Sequence, residues 1–278
     1  MKISISYWGL EGGLEAKKDV VAAMREAKAL GFDAIEPAVA SAGALTFDAT
    51  REQCAALRRA AREIGIEIAS VASGESWTSS PTANDAAARE RILAWTKKGL
   101  QIASWLGADA YLFVPGAVDV FFLPGGEVVP YDVCHQRAVE GIRRLLPIAE
   151  ETGVAICIEN VWNKFLLSPM EMAGFIDSFR SPFVKAYVDV GNMLLYGYPD
   201  QWLRILGPRV KRVHVKDFDR AAGTAAGFCD LLAGSVDFAA VKRALAEIGY
   251  DGYLTAEILP FQPGRPQKTA AAMKKLFR

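Results

Sequence analysis

Four segments of the chain carry an ionisable residue in a setting otherwise built for apolar strands. Across residues 154–159, Ile156 and Ile158 share one face of an extended segment, while Ala155, Cys157 and Glu159 share the other. The same alternation separates Val188 and Val190 from Tyr187 and Asp189, Val213 and Val215 from His214 and Lys216, and Leu254 and Ile258 from Thr255 and Glu257. Bulky branched residues suit the side of a strand that packs on helices, so Glu159, Asp189, His214 and Glu257 are expected to point toward a common interior. Three carboxylates converging there repel one another unless a cation or protons intervene, and one divalent ion is the economical answer. Two Glu, one Asp and one imidazole form a mostly hard-oxygen donor set, suited to Mn2+ first, then Mg2+ or Co2+, and less to a closed structural zinc site. Each residue taken singly has a plainer reading, an ion pair for a carboxylate or a satisfied interior position for a histidine. Four in succession at matching positions favour the metal.

The elements that must hold these residues alternate to the end of the chain. Residues 3–8, 33–37, 66–72, 108–114, 154–159, 184–190, 210–216 and 253–258 read as strands. Residues 17–30, 51–64, 85–106, 131–151, 169–179, 200–206, 238–248 and a last run to the C-terminus read as helices, with Asp237 placed to cap one and Gly31, Gly65 and Gly107 placed to end others. Eight strand–helix units predict an α/β fold, a single (β/α)8 TIM barrel over residues 1–278, with an open doubly wound sheet as the alternative. In a barrel the four ionisable residues lie at the C-terminal ends of strands five to eight, the face where barrel enzymes carry their chemistry. The stretch 118–129 is the longest glycine-containing excursion after a strand and is expected to be a lid.

Composition narrows the partners. Lys plus Arg and Asp plus Glu both number 32, so the net charge is zero and a generic nucleic-acid binder is disfavoured. No apolar run is long enough for a membrane span, and the start of the chain lacks a secretory core, so a cytoplasmic location is expected. The four cysteines, Cys54, Cys134, Cys157 and Cys229, form no CxxC pair and read as reduced thiols. No glycine-rich phosphate loop follows any strand.

Further residues are placed to line a pocket. Trp8 shares a face with Ser4 and Ser6 and reads equally as a sugar-stacking ring or a barrel plug. Glu36 is positioned to bond a hydroxyl or form an ion pair. Trp162 and Asn163 follow Glu159 on the next loop, and Lys216 is expected to neutralise residual negative charge or to bind an anionic substrate group. His135 sits in a helix beside Cys134 and reads as structural.

Ile158-Glu159-Asn160, Val188-Asp189-Val190-Gly191-Asn192, Val213-His214-Val215-Lys216-Asp217 and Ala256-Glu257 resemble the motif series of the sugar isomerase/epimerase superfamily. These are the xylose isomerase-like TIM barrels, which include endonuclease IV-type enzymes, inosose dehydratases and ketose 3-epimerases. The likeness extends over nearly the whole chain, from residues 31–37 to residues 249–253. It implies that Glu159, Asp189, His214 and Glu257 are the metal ligands, that Glu159 and Glu257 double as acid and base, and that Arg220 and Asn192 face substrate. Two positions depart from the ketose 3-epimerase pattern. Asn192 stands where a histidine is typical and Phe165 where a glutamate is, and both changes remove substrate contacts.

The expected activity is a metal-dependent isomerase or epimerase of a sugar or sugar phosphate, working through an enediolate, on a small keto sugar or polyol. An inosose-type dehydratase would use the same site, and a sugar-binding barrel without turnover is a further alternative. An apurinic-site endonuclease needs more ligands than the two histidines, His135 and His214, supply. Homo-oligomerisation is left open.

Overall fold

The computed structural model describes residues 1–120 and 126–278. In chain order the strands are β1 (Lys2–Ser6), β2 (Ala34–Glu36), β3 (Glu67–Ile68), β4 (Ala110–Phe113), β5 (Ala155–Glu159), β6 (Val184–Asp189), β7 (Val210–Val215), β8 (Asp217–Phe218), β9 (Phe228–Cys229) and β10 (Tyr253–Ala256). Eight of them form one parallel sheet in the order β3-β2-β1-β10-β7-β6-β5-β4. The seam closes just past β3, where the Val71 N–H donates to the Ala110 carbonyl at 3.0 Å and the Leu112 N–H to the Val71 carbonyl at 2.9 Å. The expected TIM barrel is the observed fold. Strands β8 and β9 form a short antiparallel hairpin at the barrel mouth that strand periodicity did not predict.

The helices are α1 (Val20–Leu30), α2 (Arg51–Ile64), α3 (Ala86–Leu106), α4 (Tyr131–Thr152), α5 (Pro169–Asp177), α6 (Pro199–Leu206), α7 (Phe238–Glu247) and α8 (Arg265–Phe277). Their ends follow side-chain chemistry. Helix α2 opens with a capping box, Thr50 accepting from the Gln53 N–H at 3.3 Å and Gln53 from the Thr50 N–H at 2.8 Å. Asp237 caps α7 as expected, accepting from the Ala240 N–H at 2.8 Å. Helix α3 stops at Gly107, whose φ of 86° is left-handed and lets the chain turn directly into β4. Helix α1 starts later than its periodicity implied, because Asp19 rather than a residue near Lys17 caps it, accepting from the Ala22 N–H at 2.8 Å.

Two apolar layers result. A large one lies between strands and helices, and a small one, made of Ala72, Ala110, Leu112, Ala155, Cys157 and Tyr187, fills the barrel interior with Trp8 packed against it. Alanines on β4 and β5 leave room for the two large rings, as an eight-stranded barrel requires. Below this layer Arg212 enters from β7, only 5% exposed. Its Nε donates to the Ala69 carbonyl at 2.7 Å, its guanidinium pairs with Asp109, and it lies 5.0 Å from the centre of the Tyr253 ring. The cysteines are free. Among the described residues no helix is long and apolar enough to cross a membrane.

Arg212 closes the lower end of the barrel by satisfying a carbonyl that water cannot reach. Arg212→Ala is expected to lower the unfolding free energy by about 1–3 kcal/mol, the cost of an orphaned buried acceptor, as read from the urea midpoint.

Candidate active site

Parallel register brings the charged residues to one level. Asp189 on β6 pairs with His214 on β7, which pairs with Thr255 on β10, two residues before Glu257. Glu159 ends β5 and enters from the opposite side of Asp189. The result is a buried cluster in which one ligand atom each from Glu159, Asp189, His214 and Glu257 lies within 4.8 Å of all the others. His214 Nδ1 sits 3.0 Å from Glu159 Oε1, 3.0 Å from Glu257 Oε2 and 3.9 Å from Asp189 Oδ2. Lys216, two residues along the same strand face, brings its ammonium 3.1 Å from Asp189 Oδ2 and 2.6 Å from Glu257 Oε2.

A surrounding layer holds these groups in place. His214 Nε2 lies 2.9 Å from Glu36 Oε1, and the other Glu36 oxygen accepts from Ser70 Oγ at 2.7 Å and from the Tyr187 hydroxyl. Asn160 braces the Asp189 backbone from both sides, donating to its carbonyl and accepting from its N–H, each at 2.8 Å. Asp189 Oδ1 accepts from the N–H groups of Gly191 and Asn192 at 2.8 Å each, which leaves Oδ2 to face the cluster. Gly191 itself has no space for a side chain: a Cβ there would lie 2.6 Å from Lys216 Cβ.

The electrostatics follow from burial and proximity. Burial pushes the Glu159 carboxyl up to about 7, against the pull of His214. Burial acts on Glu257 in the same sense, but Lys216 and His214 outweigh it and hold that carboxyl down at about 2. For His214 burial disfavours the charged ring, yet Tyr187, Glu36 and Glu257 hold its pKa well above the usual range. Burial holds the Tyr187 hydroxyl well above its usual value, so it carries no charge at neutral pH. Lys216 is also held above its usual value, burial being outweighed by Asp189 and Glu257.

The donor set fits a divalent cation. Two ligands of one ion lie at most two bond lengths apart, about 4.8 Å for bonds of about 2.4 Å, and the four atoms meet that limit. Asp189 Oδ2 and Glu257 Oε2 are buried and accept no hydrogen bond of good geometry, although the Lys216 ammonium is close to both. Unsatisfied carboxylate oxygens aimed into a cluster of hard donors are what a cation answers. The second-layer Glu36 presents the carboxylate–histidine contact that orients metal-bound imidazoles.

Above the cluster opens a cavity of about 570 Å3, lined among the described residues by Glu159, Glu257, Asn192, Lys216, Trp8 and Trp162 together with Ser73, Trp77 and Phe228. Trp8 packs on the interior layer and also faces the cavity. Lys216 neutralises carboxylates, one of its two expected roles. Asn192 donates to the Asn160 carbonyl at 2.9 Å, and its own carbonyl accepts from Trp162 Nε1 at 2.6 Å. Two residues, Asn163 and Arg220, sit elsewhere than the sequence implied, and Glu36 meets one of its two readings. Glu36 is fully buried with both oxygens engaged, so its ion-pair reading fits and its hydroxyl-binding reading does not. Asn163 is 1% exposed and donates to the Gly116 carbonyl at 2.7 Å, away from the cavity lining. Arg220 lies in an exposed 3-10 turn (Arg220–Ala222) outside the lining, because the β8–β9 hairpin carries it past the mouth. Phe165 is buried against Tyr131, His135 and Phe175, and His135 packs edge-on there, outside the cluster. Of the stretch expected to be a lid, residues 121–125 lie outside the described residues; Val118 is tied to the Asn163 carbonyl at 2.9 Å. Sequence reasoning missed Ser70, Trp77 and Phe228; inward parity next to Ala69 could have found Ser70, whereas Trp77 ends a single 3-10 turn and Phe228 opens the two-residue strand β9, both too short to show a period.

Comparison with known proteins agrees with this architecture. Residues 24–278 match the family model described as xylose isomerase-like TIM barrel. Escherichia coli (strain K12) SgbU, named for L-ribulose-5-phosphate 3-epimerase activity, is 26% identical over 239 residues, covering 84% of this chain and 81% of that protein. The structure of D-psicose 3-epimerase with D-tagatose from Clostridium cellulolyticum H10 superposes with a TM-score of 0.80 at 19% identity, over 99% of this chain and 98% of that one. The structure of the Escherichia coli 3-keto-D-glucoside 4-epimerase YcjR gives 0.78 at 16% identity, over 99% and 98%. At these identities the structural likeness shows the fold.

Glu36 is the residue whose loss separates ligand orientation from ligation. Glu36→Gln is expected to weaken Mn2+ binding by about 10–100-fold in calorimetric titration, with the circular dichroism spectrum unchanged. Anomalous diffraction from a Mn2+-soaked crystal is expected to place one ion within about 2.0–2.4 Å of all four cluster side chains.

Proposed function

The chain belongs to the xylose isomerase-like TIM barrel family, and within it we propose that the protein is a divalent-metal-dependent epimerase or isomerase of keto sugars. One observation carries this reading: Glu159 and Glu257 both line the cavity, and each approaches His214 Nδ1 to 3.0 Å from a different strand. A sugar seated over the cluster then has one carboxylate on each side. Held by Glu159, Asp189, His214 and Glu257, a divalent ion, Mn2+ in first place, supplies Lewis-acid polarisation of a carbonyl and acidifies the neighbouring carbon.

The chain's own groups do the proton work. One glutamate removes the carbon-bound proton next to the carbonyl, giving an enediolate, and the other returns a proton on the opposite face, which inverts the carbinol centre. Lys216, fixed between Asp189 and Glu257, supplies positive charge at the floor as negative charge builds on the substrate oxygens. Glu36 and Tyr187 keep the imidazole from rotating during this exchange. The epimerase names of SgbU and of the two solved structures support the same class. A dehydratase would share the enediolate and differ by expelling a β-hydroxyl.

Mn2+-loaded protein incubated with keto sugars in D2O is expected to place deuterium at the carbon next to the carbonyl without loss of water. Glu159→Gln and Glu257→Gln are each expected to lower that exchange by more than the ~10²–10⁴-fold typical of a general acid or base, since a ligand is lost as well. Full turnover by Glu257→Gln with metal retained would overturn the mechanism, and loss of water from the product would assign the protein to the lyases.

A further inference from the structure

Among the described residues the cavity lining is mostly apolar, and its two glutamates sit at the floor. Glu159 and Glu257 are about 6% and 5% exposed there, and exposure rises outward to an apolar rim that includes Leu14, 51% exposed, and the walls formed by Trp77, Phe228, Leu259 and Pro260. The polar side chains among the lining are already engaged by the protein. Asp217 accepts from the N–H groups of Phe218 at 2.9 Å, Leu232 at 2.9 Å, Gly234 at 3.0 Å and Val236 at 3.2 Å. Asn192 is held by Asn160, and Lys216 by Asp189 and Glu257. Hydroxyls on the part of a sugar distant from the cluster therefore meet carbon walls, and hydroxyls that lose water without gaining a partner weaken binding.

A phosphate group fares no better. Barrel enzymes commonly seat phosphate between the loops after the seventh and eighth strands. Here those loops turn Ala225, Ala226, Phe228, Leu259 and Pro260 toward the cavity, and Lys216 is the one cation among the described lining residues. Arg265, next along the chain, is paired with Asp230 at 2.7 Å and donates to the Pro260 carbonyl at 2.7 Å.

Size points the same way. Twelve bonded heavy atoms of a ketohexose fill less than twelve separate waters at roughly 30 Å3 each, and so less than about 360 Å3. The cavity measures about 570 Å3, so its apolar part is left over. Trp8 and Trp77 flank this space from either side of Gly74, where a Cβ would lie 3.8 Å from one ring and 4.0 Å from the other. Phe228 faces it from the β8–β9 hairpin, with its ring 5.1 Å from that of Trp162. Flat aromatic walls bury a planar apolar group efficiently.

From these features we infer that the substrate is an unphosphorylated keto sugar bearing an apolar, ring-sized substituent, in chemical class an aryl glycoside whose ketone is at a ring carbon other than the anomeric one. The sugar's carbonyl end occupies the acidic floor and the substituent lies between Trp77, Phe228, Leu259 and Pro260. This rests on the epimerase/isomerase reading, and the test separates the two.

Mn2+-loaded protein is presented with one pyranose oxidised to a ketone at a ring carbon other than the anomeric carbon, so that the carbonyl survives glycosidation, as the free sugar, its methyl glycoside, its phenyl glycoside and its phosphate monoester. Binding is read by tryptophan fluorescence and proton exchange by deuterium incorporation. The phenyl glycoside is expected to bind at least about tenfold more tightly than the methyl glycoside, with the phosphate weakest. Trp77→Ala and Phe228→Ala are expected to bring the phenyl-to-methyl ratio toward one. A preference for the phosphate, or equal binding of phenyl and methyl glycosides, overturns the inference whatever the exchange shows. Preferential phenyl binding without exchange for any probe upholds the ligand class and overturns the catalytic reading instead.

Discussion

Three carboxylates within a few ångströms of one another, buried at the mouth of a barrel, form a charge problem that the surrounding structure is arranged to solve. Glu159, Asp189 and Glu257 would drive one another protonated in a low-dielectric site without positive partners. Lys216 supplies one such partner from the strand that also carries His214, spaced two residues from it so that both face inward, and a divalent ion held by the cluster would supply the rest. Much else follows from that placement. Gly191 must lack a side chain because Lys216 passes beside it, Asn160 must hold the Asp189 backbone, and Glu36 must hold the far nitrogen of the imidazole. The opposite displacements of Glu159 and Glu257, one toward neutrality and the other toward strong acidity, come from which of them Lys216 reaches.

The barrel interior separates this charge from another at the opposite end. Arg212 and His214 share a strand and a parity, yet Arg212 serves the lower end with Asp109 and Ala69, and His214 serves the mouth. Between them lies the small apolar layer of alanines, Leu112, Cys157 and Tyr187. That layer keeps water from the lower face of the cluster, so each charge contact above it acts at greater strength than on a surface.

The two positions at which the sequence departs from the motif pattern it resembles serve as wall and buttress. Asn192 ties Trp162 to Asn160, and Phe165 fills an aromatic cluster with Tyr131 and Phe175 behind the site. Positions that could have carried hydroxyl-binding groups instead stiffen an aromatic enclosure. The polar capacity of the cavity is thereby concentrated on the cluster itself, and the shape of the rim is left to rings and aliphatic side chains.

The number of strand–helix units, the cap at Asp237, and the inward parity of Glu159, Asp189, His214 and Glu257 were legible in the sequence. Each depends on alternation or capping within a few residues, which local chemistry dictates. The tertiary structure alone decided the rest. Glu36 meets His214 across 178 residues, and no local pattern tells an inward carboxylate whether it will find an imidazole or a sugar hydroxyl. The β8–β9 hairpin is two residues on each side, too short to show a period, yet it moves Arg220 outward and Phe228 inward. Cavity walls are built from loops after several strands, and loops carry no repeat from which their packing can be read. Strand parity therefore determined which residues share the centre, and long-range packing determined what surrounds them.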